Sequence, residues 1–209
     1  MIRIVFQGDS ITAGCRDHGN PFDYGWGYVK YAIEAIKHRH PECEFEFQNH
    51  GISGQQTYDL TCRWDRDCTD LKPDFFSLLL GINDIWHRAD AGVPWLSNED
   101  FEKNLRYLLT EVKEKTNAKI LILEPFLLPT EDKDWFREDL NPKIDVMRKL
   151  AREFADLYIP LDGIFAAACV EAPSECWSED GVHPNDAGSR LIARHYADAF
   201  DKLYYSINK

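Results

Sequence analysis

The sequence has no apolar run approaching the roughly 20 residues of a membrane-spanning helix, so no helical span is expected. Positive charge is scarce. Lys and Arg number 24 against 36 Asp and Glu, a net charge of −12. So acidic a surface repels phosphate backbones and anionic lipid heads, so neither nucleic acid nor membrane is an expected partner. The opening MIRIVFQG lacks the basic, apolar, small-residue order of a signal peptide. Six cysteines (Cys15, Cys43, Cys62, Cys68, Cys169 and Cys176) show no C-x-x-C spacing, and Cys62 and Cys68 have no paired Cys or His set nearby. That argues against a structural zinc site. Reduced thiols and a cytoplasmic location are the expectation. Also missing are a His-rich metal signature, the phosphate-binding G-x-x-x-x-G-K, the dinucleotide glycine fingerprint and the lipase elbow G-x-S-x-G. The expected chemistry uses no metal and no cofactor.

What is present is a regular alternation. The length of 209 residues, with 44% hydrophobic and 29% charged, suits one globular domain over 1–209. Short apolar runs at 3–7, 74–81 and 119–125 read as buried strands, and 44–49 alternates as a strand with one wetter face. A last short strand is expected over 157–161. Helices are expected over 27–40 (Val29, Ala32, Ile33 and Ile36 inward), 57–70 with Thr57 as N-cap, 98–115 (Phe101, Leu105, Leu108, Leu109 and Val112 inward), 142–154 and 184–204. Five strand–helix alternations predict an α/β three-layer sandwich: a five-stranded parallel sheet with helices on both faces. The irregular stretches 8–26, 50–57, 82–97, 125–139 and 163–183 are where chemistry is expected, since open α/β sheets bind ligands at the carboxyl ends of strands.

Four short blocks fall in those stretches: Gly8-Asp9-Ser10, then Asn49-His50-Gly51-Ile52-Ser53-Gly54, then Gly81-Ile82-Asn83-Asp84, and finally Asp180-Gly181-Val182-His183-Pro184. Each has a plain structural reading. Gly, Asp and Ser suit a turn; Asn83 suits an Asx-turn; Asp180 suits a cap before a Pro-led helix. Together they read as chemistry. A serine hydroxyl is a weak nucleophile and needs an adjacent base. Histidine is the natural base near neutral pH. Of seven histidines, His183 alone has Asp180 three residues earlier in a turn containing Gly181. That spacing lets a carboxylate hold one ring nitrogen and leaves the other for Ser10.

In order and spacing the four blocks resemble the SGNH (GDSL-type) hydrolase family over nearly the whole chain. The resemblance implies a flavodoxin-like sandwich, a Ser10–His183–Asp180 triad, and an oxyanion hole of the Ser10 N–H, the Gly54 N–H and the Asn83 side-chain amide. Gly51 competes with Gly54 for the middle role; Asp84 is expected to order its turn. In motif detail the chain is similar to intracellular acetylxylan esterases of the family: Arg63-Trp64 after GISG, the GINDIW block with His87 and Arg88 behind it, and Glu124-Pro125-Phe126. Asp9, Trp64, Trp86 and Trp177 are therefore candidates to touch substrate. The competing reading makes Trp64 and Trp86 core or interface aromatics.

The expected activity is a serine esterase that removes acetyl groups from sugars such as xylo-oligosaccharides. A thioesterase, lysophospholipase or arylesterase of the same fold is the alternative within enzymes. A carbohydrate-binding or scaffolding protein is the alternative outside them. The charged segment Thr130–Asn141, with Trp135 and Phe136, either covers the site or meets another subunit. Trp95 and Trp135 are candidate contacts of a homo-oligomer.

Overall fold

A computed structural model describes residues 1–86 and 96–207. His87, Arg88 and Trp95 lie outside the described residues. The first strand, β1 (Ile2–Gly8), runs straight into a one-turn helix α1 (Ser10–Ala13). Helix α2 (Tyr28–Arg39) follows, with Val29, Ala32, Ile33 and Ile36 buried as the 3.6-residue period requires. Strand β2 (Phe45–Asn49) departs from strict alternation, because Phe47, Gln48 and Asn49 are all buried. The loop before α2 covers its carboxyl end: the Asn49 side-chain amide donates to the carbonyls of Thr12 and Tyr24.

The expected helix over 57–70 is broken into α3 (Thr57–Thr61), α4 (Trp64–Asp67) and a single 3₁₀ turn at Thr69–Leu71. Its N-cap is Gln56, in a reciprocal capping box with Asp59, and Thr57 is the first helical residue. The break falls at Arg63, whose side chain turns back to Gln55 and also grips Asp67. Strand β3 (Phe75–Leu79) is buried throughout, and a one-turn helix α5 (Asn83–Trp86) follows it. Helix α6 (Asn98–Lys115) buries all five expected residues and is capped by the Ser97 hydroxyl. After β4 (Lys119–Leu123), helix α7 (Arg137–Phe154) begins five residues earlier than Pro142 suggested. Pro142 costs only one hydrogen bond near the amino end, and Arg137 anchors the first turn through Asp162.

Strand β5 (Leu157–Ile159) leads into α8 (Leu161–Glu171), which occupies part of the stretch expected to be irregular. The closing helix α9 spans Asp186–Ile207; Pro184 stays outside it and bridges to Ser178.

All four strand pairings are parallel, in the order β2-β1-β3-β4-β5. Alternate strand residues face opposite layers. Ile4, Phe6, Phe75, Leu79, Leu121 and Leu123 pack with α2 and α9, while Phe76, Leu78, Ile120 and Ile122 pack with α4 and α6. The expected three-layer α/β sandwich is therefore present. This strand order places the topological switch between β1 and β3, where the carboxyl ends of open sheets leave a crevice.

Candidate active site

Ser10 stands at that switch, on the first turn after β1. Its Oγ lies 2.9 Å from Nε2 of His183, and Nδ1 of the same ring lies 2.7 Å from Oδ2 of Asp180. An ionised carboxylate can only accept, so the proton sits on Nδ1, and Nε2 accepts from the serine hydroxyl. Asp180 is fixed by its own loop. Its Oδ1 accepts from the backbone N–H of Val182 at 2.9 Å and of His183 at 2.7 Å, and Ser178 Oγ lies 3.1 Å away. The same Ser178 hydroxyl reaches the His183 carbonyl at 2.8 Å. No sequence signal distinguished Ser178, because a lone serine in a loop is an ordinary turn residue.

The electrostatics follow from these contacts. The hydrogen bond it donates to Asp180 raises the His183 imidazole above its ordinary pKa, against the opposing effect of burial, and the charges of Asp180 and Asp9 add to the rise. Burial pushes the Asp180 carboxyl up, but the His183 ring and the two backbone N–H groups outweigh it and hold the group well below the ordinary range. Asp9, beside Ser10, is only 1% exposed. Burial raises it to about 7, against the Ile11 N–H it accepts at 3.0 Å and the charge of His183.

The three expected donors differ in their surroundings. As the first residue of α1, Ser10 has an N–H with no partner inside its helix. The two glycines of the second block separate cleanly. The Gly51 N–H is engaged by Asn49 Oδ1 at 2.9 Å, and a Cβ on Gly51 would stand 2.5 Å from the Ala13 backbone nitrogen. Gly51 is thus a packing glycine under α1. Gly54 has φ +79°, open space where a Cβ would sit, and an N–H that bonds to none of the described residues. Asn83 donates one amide hydrogen to the Gln55 carbonyl at 3.1 Å, which leaves its second hydrogen available.

The loop after β2 and the loop after β3 are tied to each other. Besides the Asn83–Gln55 bond, Gln56 Nε2 donates to the Asn83 carbonyl at 3.1 Å. Asp84 is 1% exposed, and its Oδ1 accepts from both the Thr57 hydroxyl at 2.7 Å and the Thr57 N–H at 3.1 Å. Burial drives Asp84 up to about 7, and the Thr57 hydrogen bonds oppose it. Gln55 is held in turn by buried Arg63, whose Nε donates to Oε1 at 2.7 Å. This strut joins residues adjacent to Gly54 with residue Asn83 itself. Sequence reasoning expected only that Asp84 would order its own turn.

The tryptophan expectations divide. Trp86 is partly buried, with its ring centroid 6.0 Å from that of His183, so it lines the site. Trp64 is 1% exposed in the core beneath β3, and its indole N–H donates to the Leu108 carbonyl at 3.0 Å. It cannot meet a substrate from solvent, and the expectation is corrected. Asp9 is corrected for the same reason. Its buried carboxylate caps α1. Trp177 lines a groove between α8 and α9 with Ile164 and Leu191, and no described contact joins it to the triad.

The segment before α7 forms a wall of the site. Phe136 stands edge-on to Trp86 at 5.6 Å, and Lys133 Nζ lies 5.4 Å from the centre of the Trp86 ring. The Leu128 N–H donates to the Gly181 carbonyl at 2.9 Å, docking this segment on the triad loop. Among the described residues, no group of three or more His, Cys, Asp and Glu side chains is placed to hold a metal ion.

A model of the GDSL-like lipase/acylhydrolase family matches residues 6–191. The chain belongs to this family. It is a carboxylic ester hydrolase, and its small-molecule ester substrates follow from that. This GDSL-type hydrolase is 30% identical over 203 residues to an acetylxylan esterase of Geobacillus stearothermophilus, covering 93% of this chain and 91% of the relative. The crystal structure of that organism's acetylxylan esterase Axe2 superposes with a TM-score of 0.84 at 30% identity, over 92% of this chain and 91% of Axe2. LAE5, an alpha/beta hydrolase enzyme from the metagenome of Lake Arreo, Spain, gives 0.86 at 30% identity, over 95% and 94% of the two chains. Among the described residues no helix is long and apolar enough to cross a membrane.

Proposed function

We propose that this hydrolase removes acetyl groups from sugar hydroxyls, with xylo-oligosaccharides as the substrate class, through an acyl-enzyme on Ser10. The observation that carries the reading is the relay Ser10 Oγ to His183 Nε2 at 2.9 Å and His183 Nδ1 to Asp180 at 2.7 Å, at the β1/β3 switch. His183 takes the serine proton as Oγ attacks the acyl carbon. Asp180 holds the ring in the required tautomer and stabilises the imidazolium. The Ser10 N–H, the Gly54 N–H and the free Asn83 amide hydrogen receive the developing oxyanion. His183 returns the proton to the leaving sugar hydroxyl. Water, deprotonated by the same imidazole, then clears the acetyl group from Ser10.

The cleft that shares Ser178 and Gly181 with the triad loop is lined by Thr130, Glu131, Asp132 and Asp134. Such a surface solvates sugar hydroxyls and disfavours a long alkyl chain. The resemblance to an acetylxylan esterase over most of both chains supports the same reading. The deciding experiment is hydrolysis of p-nitrophenyl esters from acetate to octanoate, with Ser10→Ala in parallel. Acetate is expected to be fastest and the variant inactive. Rates that rise with acyl length would replace the deacetylase with a thioesterase or lysophospholipase. An active Ser10→Ala would remove the nucleophile from the mechanism.

A further inference from the structure

We propose that Trp135 is a saccharide subsite for an uncharged oligosaccharide chain, its ring braced by aromatic contacts that extend to the catalytic centre. The proposal rests on the deacetylase reading for its substrate class, and on its own observations for its place.

Trp135 is 45% exposed, yet it is not loose. Its indole N–H donates to the Asp132 carbonyl at 3.2 Å, and its ring stands at 79° to Phe136 with centroids 4.4 Å apart. Phe136 is itself buried and stands edge-on to Trp86 at 5.6 Å. Trp86 in turn lies 6.0 Å from His183. Ring contacts therefore brace Trp135 through buried Phe136 to Trp86 beside the catalytic base, and the Trp135 ring keeps apolar surface uncovered. A fixed aromatic ring binds a flat, C–H-rich sugar face with little ordering cost.

The polar neighbours set the chemical class. A cleft of about 490 Å³ is lined by Thr130, Glu131, Asp132, Asp134, Ser178 and Gly181, of which Asp134 adjoins Trp135 in sequence. These groups offer hydrogen-bond acceptors in excess, which suits a ligand rich in hydroxyl donors. Lys133, the one cation in the run PTEDKDWF, is ion-paired to Asp132 at 2.6 Å and sits over Trp86. A uronate-bearing chain or a lipid phosphate would meet carboxylates there. An uncharged chain would not be repelled. The cleft shares Ser178 and Gly181 with the loop that carries Asp180, so it adjoins that loop.

The test compares Trp135→Ala and Trp135→Phe with wild type on p-nitrophenyl acetate and on acetylated xylotriose. Trp135→Ala is expected to raise KM for the trisaccharide about tenfold more than for the aryl ester, and Trp135→Phe to recover most of that difference. A second arm titrates plain xylotriose into Ser10→Ala and into Ser10→Ala/Trp135→Ala by calorimetry, with no turnover involved. Affinity is expected to fall about tenfold when Trp135 is removed. Equal losses on both substrates would make Trp135 a structural residue and overturn the proposal. So would xylotriose binding that is undetectable in Ser10→Ala or unchanged in Ser10→Ala/Trp135→Ala. A change of sedimentation from oligomer to monomer in Trp135→Ala, with sugar KM unaltered, would overturn it in favour of a second copy of the chain. Should wild type prefer long acyl esters, the deacetylase reading fails while the calorimetric arm still decides the subsite.

Discussion

Replacing Thr57 with valine tests whether the strut between the second and third loops serves catalysis. The two side chains have the same shape, so the change removes one hydroxyl and little else. That hydroxyl donates to Asp84 Oδ1 at 2.7 Å, and accepts from Asn104 Nδ2 at 3.3 Å. Asp84 is 1% exposed, and the hydrogen bonds it receives from described residues come from Thr57. Losing a hydrogen bond to a buried carboxylate costs about 1.5–3 kcal/mol. In a chain of 209 residues that amounts to a fall in Tm of roughly 3–12 °C.

The catalytic effect is separate. Asn83 is joined to Asp84 by one peptide bond, so a slack Asp84 lets the amide drift from the oxyanion. Complete loss of an oxyanion donor costs about 10²–10³ in kcat. A displaced donor should cost less, about 10-fold, with KM within about 2-fold because the contact forms only in the transition state. The assay is p-nitrophenyl acetate hydrolysis, with kcat and KM measured for Thr57→Val, Thr57→Ser, Asn83→Ala and the double variant Thr57→Val/Asn83→Ala. Thr57→Ser should restore most of kcat. The double variant should be no slower than Asn83→Ala, because a strut that works through Asn83 has nothing left to hold. Additive losses would refute the reasoning, as would a lowered Tm with kcat unchanged.

The pH profile follows from the direction of the two shifts. His183 must be neutral to act, and its pKa is raised by Asp180, so kcat/KM should climb with pH through a midpoint above that of an ordinary imidazole. Asp180→Asn should move that limb downward and lower the plateau by about 10²–10⁴-fold; a limb that stays in place would sink the assignment. The stability linkage has opposite signs for the two partners. The His183 contribution is full below the ordinary imidazole pKa and is lost as pH rises through the raised one. The Asp180 contribution is full above the ordinary carboxyl range and is lost as pH falls toward its depressed pKa. The two glycines should part company. Gly51→Ala, facing backbone atoms at 2.5 and 2.8 Å, should fail to accumulate as folded protein. Gly54→Ala, with open space and φ +79°, should fold with about 1–2 kcal/mol of strain and reduced kcat; circular dichroism melts with activity assays separate these outcomes. Trp64→Ala should lose about 3–5 kcal/mol in denaturant unfolding while KM at low temperature stays put, since the ring lies in the core.

Much of this protein was legible locally. Helix α6 could be read residue by residue, because Phe101, Leu105, Leu108, Leu109 and Val112 repeat at the helical period under a Ser97 cap. The buried strands showed themselves as unbroken apolar runs, since a parallel strand covered on both faces needs no polar side. Ser10, Asp180, His183, Gly54 and Asn83 could be named as candidates because the proposed chemistry demands particular residue types at the ends of particular elements, and the fold brings Ser10, His183 and Asp180 into hydrogen-bond contact. Helix α8 was not legible. It is Ala-rich and apolar almost throughout, with Gly163 in its first turn, so no stripe marked it. Pro142 misplaced the start of α7, because as the sixth residue of the helix it removes one hydrogen bond without ending it.

The tertiary structure decided everything that depends on which surfaces meet. Trp64 and Trp86 follow their blocks in similar fashion, yet one is sealed beneath the sheet and the other lies against His183. The 130–136 segment became a wall of the site only through its docking on Gly181. The Thr57–Asp84 strut spans 27 residues of sequence. Periodicity, turn chemistry and residue type are local properties, so a chain displays them in order along its length. Burial and partnership are set by the crossovers of the sheet, which bring the ends of β1, β2 and β3 side by side from distant parts of the chain.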